Sequence, residues 1–583
     1  MRRFPPLFIL PSLLLLVGAC INVPDVQQVV EEPDAGEPPL QVRLILSRAH
    51  TKDSVDVVVD LSRPTTENVE LLVDGHIVAS LPPPYRLRME TEGFKEGVHE
   101  LIARVVRDSG VALSEPRQLT VDRTPPSWVS RTPRPGAHLV PVRPEVQAVF
   151  SEALDPTTVN ASTIQLSVGA EPMPANVSLS SEGTVVTVRP VSPFPVDVRV
   201  KVTAGLEVTD LAGNVLRPAS DEWNWDVPGF LPLGDALLSD SPSTQPGGVD
   251  LQVDAEGRPV VAWIEISEPA LYVRRWSGGT WASLGTPLAL APTTYSGQVT
   301  LRFGTDGQPV ISWRNDFSSS IHVRRWNGTA WAEMGSPIPN PKGLMFHEMG
   351  MDASGRWLVG GMAQWSEDGQ VLMWQWQNGQ WESLNTGIRV EAPSAIWRGQ
   401  LLLHGAKNPF LIWEQGRGSN FESLQVRRGE GGQWSTVSPK FQGLWGVLTV
   451  DREGRLLHAA GGGSRVEVWR EDGGTWSPVG PIIEKSFPGG TTMNVGRLVF
   501  DSMGMPVSLV YESERPGQAE TMYLRRLRDG KWERVGGFLR SYVSGGYPYV
   551  NAFGLSSAGR PFLLVNEMTS PEMKPIRVYV PNE

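Results

Sequence analysis

The sequence predicts an all-β protein, two β-sandwiches followed by a seven-bladed β-propeller, and three observations carry that reading. A phrase Trp-x-x-hydrophobic-Gly recurs through the C-terminal part, at Trp281–Gly285, Trp331–Gly335, Trp476–Gly480 and Trp532–Gly536, with looser copies at Trp381 and Trp434. Self-similarity at a period of roughly 40–55 residues marks a supersecondary unit that buries its faces only by stacking on its neighbours. No long stretch shows the apolar period of a helix. Gly (60) and Pro (50) make up about a fifth of the chain, against roughly an eighth in average proteins, which suits short strands joined by many turns.

The N-terminus reads as an export signal. Arg2 and Arg3 precede an apolar run from Leu7 to Val17, shorter than the ~20 residues of a membrane span. The run ends Val17-Gly18-Ala19-Cys20, which resembles the lipobox of bacterial lipoproteins, and Cys20 is the single cysteine of the chain. The resemblance implies that residues 1–19 are cleaved and that Cys20 is acylated, so that a membrane is a partner; each buried methylene contributes about 0.8 kcal/mol to such an anchor. In the lipoproteins it resembles, Asp after the cysteine favours inner-membrane retention. Ile21 therefore implies a cell-envelope location at the outer membrane, on its surface or its periplasmic face. Residues 20–40 are acidic, Pro-rich and free of aromatics, and read as a tether that does not fold.

Two sandwiches follow. In 41–122, Val69–Val73 and His76–Val78 flank Asp74-Gly75, a hairpin signal. Together with Gly97-Val98-His99-Glu100-Leu101 the segment resembles bacterial immunoglobulin-like modules. In 123–228, Thr124-Pro125-Pro126, Phe150-Ser151-Glu152-Ala153-Leu154-Asp155-Pro156 and Asp210-Leu211-Ala212-Gly213-Asn214 resemble the immunoglobulin-like domain named for the S-layer protein SbsA. That resemblance implies a spacer or adhesion role. Glu152, Asp155 and Asp210 lack the alternating spacing of a calcium loop and are read as turn caps, so no metal is expected.

Residues 229–583 hold the repeat. Each unit reads as four short antiparallel strands, as in a propeller blade. A position at the head of the second strand counts seven units: Pro259, Pro309, Trp357, Pro409, Leu456, Pro506 and Pro561. Proline fits there because a strand's first residue need not donate to the ladder. The seventh unit ends without a fourth strand, and Phe230-Leu231-Pro232-Leu233-Gly234 carries the missing phrase, so the segment is expected to close the last blade.

Six residues after that position stand Glu265, Asn315, Gln415, Glu512 and Glu567, and two residues earlier Trp263, Trp313 and Trp413. Carboxylates and amides beside aromatic rings suit a sugar, or a cation through ring faces. The column is the expected ligand-binding site, on the face where the loops are long and varied (267–270, 316–320, 414–422, 512–521, 568–574). The alternative reading is that the rings are interblade core and the polar groups cap strand ends. A second column pairs arginines: Arg274-Arg275, Arg324-Arg325, Arg427-Arg428 and Arg525-Arg526. Strand pairing would bring Arg324 to Glu333 and Arg526 to Glu533.

Catalytic signatures are missing. His347-Glu348 has no zincin partner, and Gly554-Leu555-Ser556 precedes a turn and not a helix. No catalytic residue and no cofactor is expected. A net charge of −11 argues against nucleic acid as a partner. The sequence thus points to a membrane-anchored envelope lipoprotein that presents a propeller to a polysaccharide or protein ligand. The rivals are a propeller-type glycoside hydrolase or polysaccharide lyase using Glu265, Glu512 or Glu567, and a purely structural envelope scaffold.

Overall fold

The computed structural model describes residues 39–583 except 109, 240–245, 267–268, 291–297, 316–319, 340–343, 353, 364–367, 385, 392–394, 403–408, 418–419, 431–432, 442–445, 491, 515–519, 541–547 and 568–574. Cys20 and almost all of the expected tether therefore lie outside the described residues, as do most residues of the varied loops. The described residues form strands and turns, with no helix long and apolar enough to cross a membrane.

Residues 40–121 form a three-stranded sheet facing a larger one across a single core that includes Leu44, Val57, Leu71, Leu101 and Leu119. Val69–Val73 and His76–Leu81 pair as a hairpin, with Asp74 (φ 48°) and Gly75 (φ 78°) both left-handed, as the tight turn matched to strand twist requires. Residues 128–227 form two four-stranded sheets around Val200, Trp225, Phe150 and Leu154. The two units meet at a polar junction: Lys52 Nζ donates to Gly213 O (2.7 Å) and Asn214 Nδ2 to Asp122 O (3.0 Å).

Beyond residue 229 the described residues form seven sheets with four principal strands each, spanning 246–289, 299–339, 344–391, 395–436, 446–484, 493–539 and 548–581; we number them first to seventh. The seventh takes its fourth strand from Phe230–Pro232, which pairs antiparallel with Ile576–Pro581 (Phe230↔Pro581, Leu231↔Val580, Pro232↔Tyr579). Seven apolar clusters lie between the sheets. One joins first to second, the next second to third, and so on to sixth and seventh. The last, with Trp263, Leu251, Leu564 and Val578, joins seventh back to first, so the order closes on itself.

The repeated phrase makes the stitch between sheets. Its tryptophan Nε1 donates to a carbonyl of the preceding sheet: Trp281 to Leu233 (2.9 Å), Trp331 to Leu284 (2.7 Å), Trp381 to Met334 (2.7 Å), Trp476 to Ser438 (3.0 Å) and Trp532 to Pro481 (2.8 Å). Its glycine makes room for the next sheet. Gly285 has φ +78°, and a methyl there would sit 2.9 Å from the Trp326 ring. Phe230-x-x-Leu233-Gly234 obeys the same rule, with Leu233 accepting from Trp281 and Gly234 packed on Trp276.

The ring is also fastened to the second sandwich. Asn582, 4% exposed, accepts from Val142 N (3.0 Å) and donates through Nδ2 to Val140 O (3.1 Å) and Pro228 O (2.9 Å). Asp197 accepts from Phe538 N at 2.8 Å.

Candidate functional site

The second strand of each sheet is sandwiched between neighbours, and this decides what the expected ligand column can do. Pro259–Glu265 is buried at every position. Trp263 is 0% exposed, and Trp313 and Trp413 are each 4% exposed. Trp263 stacks on Tyr272 (centroids 5.0 Å apart, planes at 12°) and Trp313 on His322 (5.1 Å, 12°). The first arginine of each pair lies over an aromatic ring: Arg274 over Trp263, Arg324 over Trp313 and Arg427 over Trp413 on the second strand, and Arg525 over Tyr523 on the third, at 5.4, 5.7, 6.0 and 5.3 Å from the ring centres. These rings offer no face to a ligand in this conformation, which corrects the expectation that they stack on a sugar. Large rings fill the space between sheets, where they bury the most area.

The polar members divide. Glu512, 0% exposed, accepts from Tyr523 Oη (2.7 Å) and from the backbone N–H groups of Ser486 and Phe487 (2.9 Å each), pinning the connection between fifth and sixth sheets. Burial and the Glu512 hydrogen bond push the Tyr523 hydroxyl well above its ordinary range. Glu567 accepts from Tyr579 Oη and from Arg577 Nε (3.0 Å). Glu265 is fully buried, and Asn315 is half-buried opposite Ser320. Gln415 lies in Phe410–Arg417 opposite Ser423, and its side chain is outside the described residues. The glutamates thus belong to different sheets, and two of them hold their own sheet's third strand.

The arginine column gives a more open geometry. Arg324 and Glu333 are register partners, with Nε and Nη2 of Arg324 donating to Glu333 Oε1 at 2.8 and 2.5 Å. Arg526 lies opposite Glu533 but forms its ion pair with the buried Asp501 (3.9 Å). Beside Arg324 a cleft of about 570 Å³ opens between the first and second sheets, lined by Ser283, Gly285, Thr286, Leu288, Arg324, Thr329, Ala330 and Trp331. Sequence reasoning named Arg324 and Trp331 but placed the site elsewhere. It could not have found the cleft, which joins residues from two units.

Other polar groups are structural. On the innermost strands Arg302 bridges Asp250 (2.8 Å) and Glu348, tying first, second and third sheets. His347 is fully buried with Nε2 3.1 Å from Ser312 Oγ, and burial holds it down at about 4. In the second sandwich Asp210 accepts from Ala212 N, Asn214 N and Asn214 Nδ2 (each 2.8 Å), and Asp155 from Thr157 N (2.9 Å), both as turn caps. The carboxylates of Asp122, Glu152 and Asp210 converge to within 4.8 Å of one another. Desolvation, then Asp122, pushes the Glu152 carboxyl up to about 7.

A family model described as a bacterial Ig-like domain matches residues 122–226. No curated protein matches the chain. Among solved structures the chain is similar to the polysaccharide lyase Uly1, at 10% identity and a TM-score of 0.35 over 60% of this chain and 92% of that one. It is similar to an α-L-arabinofuranosidase from Fusarium graminearum, at 10% identity and 0.34 over 60% and 98%. The SapL1 lectin in complex with α-methyl fucoside gives 14% identity and 0.28 over 58% and 93%.

Proposed function

We propose that the chain is an envelope lipoprotein, anchored through Cys20 at the outer membrane, in which residues 41–122 and 123–228 are two immunoglobulin-like spacers and residues 229–583 a seven-bladed propeller that binds carbohydrate without transforming it. The observation that carries the recognition role is the cleft beside Arg324. Its lining joins Trp331, Arg324 and the hydroxyl residues Ser283, Thr286 and Thr329 in one concavity, with Glu333 held beside Arg324, a composition that suits a polyhydroxylated ligand. The commitment of Glu512 and Glu567 to tyrosine and arginine partners argues against the hydrolase and lyase reading. Glycoside hydrolysis needs a carboxylate within reach of substrate and water, and the lyase reading rested on these same glutamates as its base.

The test is affinity electrophoresis of the whole protein through a panel of envelope and plant polysaccharides, with reducing-end and unsaturated-product assays on the same samples. Retardation without product supports recognition. Product formation transfers the case to an enzyme, and neither result leaves the scaffold reading. Anchoring is checked by Cys20→Ser, which should move the protein from the membrane fraction to the soluble one.

A further inference from the structure

We propose that the cleft between the first and second sheets is a single binding site for a neutral pyranose, with Arg324 and Glu333 as the fork that reads two adjacent hydroxyls. The inference rests on the carbohydrate reading above and narrows it to one place, one ligand class and one site per chain.

The fork is preorganised. Glu333 holds the guanidinium through Nε and Nη2 from across the strand pair, and the Trp313 ring lies 5.7 Å beneath it. Trp331, half-buried on the cleft wall, has its Nε1 committed to Leu284 O at 2.7 Å, which fixes the direction of its ring. Ser283, Thr286 and Thr329 add hydroxyls around the rim. A guanidinium donates and a carboxylate accepts, so the two side by side match vicinal hydroxyls, each of which does both. The pair sums to zero charge. A uronate or sulfated sugar entering beside Arg324 would meet the Glu333 carboxylate, and a neutral sugar would not.

The repeat might suggest a site in every sheet, but the register contradicts it. The residue opposite the first arginine is Ser283 for Arg274, Thr436 for Arg427 and Arg534 for Arg525; Glu333 opposite Arg324 is the one acid among these four pairs. Third and fifth sheets carry Trp374 and Trp469 at that position, opposite Ser383 and Pro478. Arg274 turns instead to Leu238 O (3.0 Å) and Arg525 to Ser486 Oγ (3.1 Å), each bound to the preceding connection.

Isothermal titration of the detergent-solubilised full chain tests this, with methyl glycosides of glucose, galactose, mannose and fucose as probes and glucuronate and galacturonate as charged comparators. The expected result is saturable binding of a neutral glycoside at one site per chain. Arg324→Ala and Glu333→Gln should each weaken it at least tenfold at unchanged melting temperature, with Arg274→Ala unaffected. Glycoside binding left unchanged by Arg324→Ala, a preference of the wild-type protein for the uronates, or its binding at several sites overturns this assignment and leaves carbohydrate recognition standing. A wild-type protein that binds no neutral glycoside here, and no polysaccharide in the panel above, overturns both.

Discussion

The indole Nε1 of Trp331 lies 2.7 Å from the carbonyl oxygen of Leu284, one sheet away, and the same hydrogen bond recurs at four other sheet boundaries. The phrase that makes the sequence look repetitive is therefore a joint between units. At three of the five joints, Leu233-Gly234, Leu284-Gly285 and Met334-Gly335, a glycine follows the acceptor directly, and the next sheet's third strand lays a tryptophan ring against it.

Removing either part of the joint should weaken the ring. Trp331→Phe deletes the donor and is expected to cost about 1 kcal/mol for the lost hydrogen bond. Gly285→Ala forces a left-handed φ on a side chain that would also press on Trp326, and is expected to cost about 1–3 kcal/mol. Urea denaturation followed by tryptophan fluorescence measures both. An alanine variant as stable as the parent would show that the close approach to Trp326 is dispensable.

Trp263→Ala should behave as a core truncation, destabilising the ring by about 3–5 kcal/mol through the cavity left between seventh and first sheets. The informative comparison is with Arg324→Ala, which should leave thermal stability nearly intact and change binding. A Trp263 variant with parental stability and lost binding would return the site to the strand column.

Asn582→Ala should uncouple the second sandwich from the ring. The change leaves Val140 O and Pro228 O without their side-chain donor and Val142 N without its acceptor, at about 1–3 kcal/mol for each group left unsatisfied. Scanning calorimetry should then resolve the two units as separate transitions. One unchanged transition would mean that Asp197 and the chain connection suffice to hold them.

Acid should act on the two regions with opposite signs. Desolvation and Asp122 raise Glu152 from its ordinary 4.5 to about 7, so between those values the folded sandwich binds more protons than the unfolded chain. Its stability is therefore highest below about 4.5 as far as this group is concerned, and falls as pH rises toward 7. Burial lowers His347 and His458 from 6.5 to about 4, so there the unfolded chain binds more protons, and the ring loses stability as pH falls from 6.5 to 4. Neither ring nitrogen of His458 has a hydrogen-bond partner among the described residues, which leaves burial as the cause. Calorimetry of the parent, Glu152→Gln and His458→Phe across this range checks each slope. A Glu152→Gln variant with the parental dependence of stability on pH contradicts the assignment to Glu152.

The unit count was legible because proline at a strand head and tryptophan after a turn are local signals that recur. The site was less legible, for a reason visible in Pro259–Glu265. Alternation along a strand separates a wet face from a dry one, but this strand is covered on both faces, so Trp263 and Glu265 carry no sign of which way they point. Asn582, Asp197 and Arg302 gave no signal, since each acts once, through partners distant in the chain. The distinction between Arg324 and Arg274 lies only in what stands across the hairpin, Glu333 in one case and Ser283 in the other.

The measurement that bears most directly on the closed ring is the melting of a chain lacking residues 229–238. Those residues supply the fourth strand of the seventh sheet, the Leu233 carbonyl that receives Trp281 and the Gly234 surface under Trp276. The account predicts loss of the cooperative ring transition with the first sandwich still folded. A ring transition unchanged in temperature and enthalpy would contradict it.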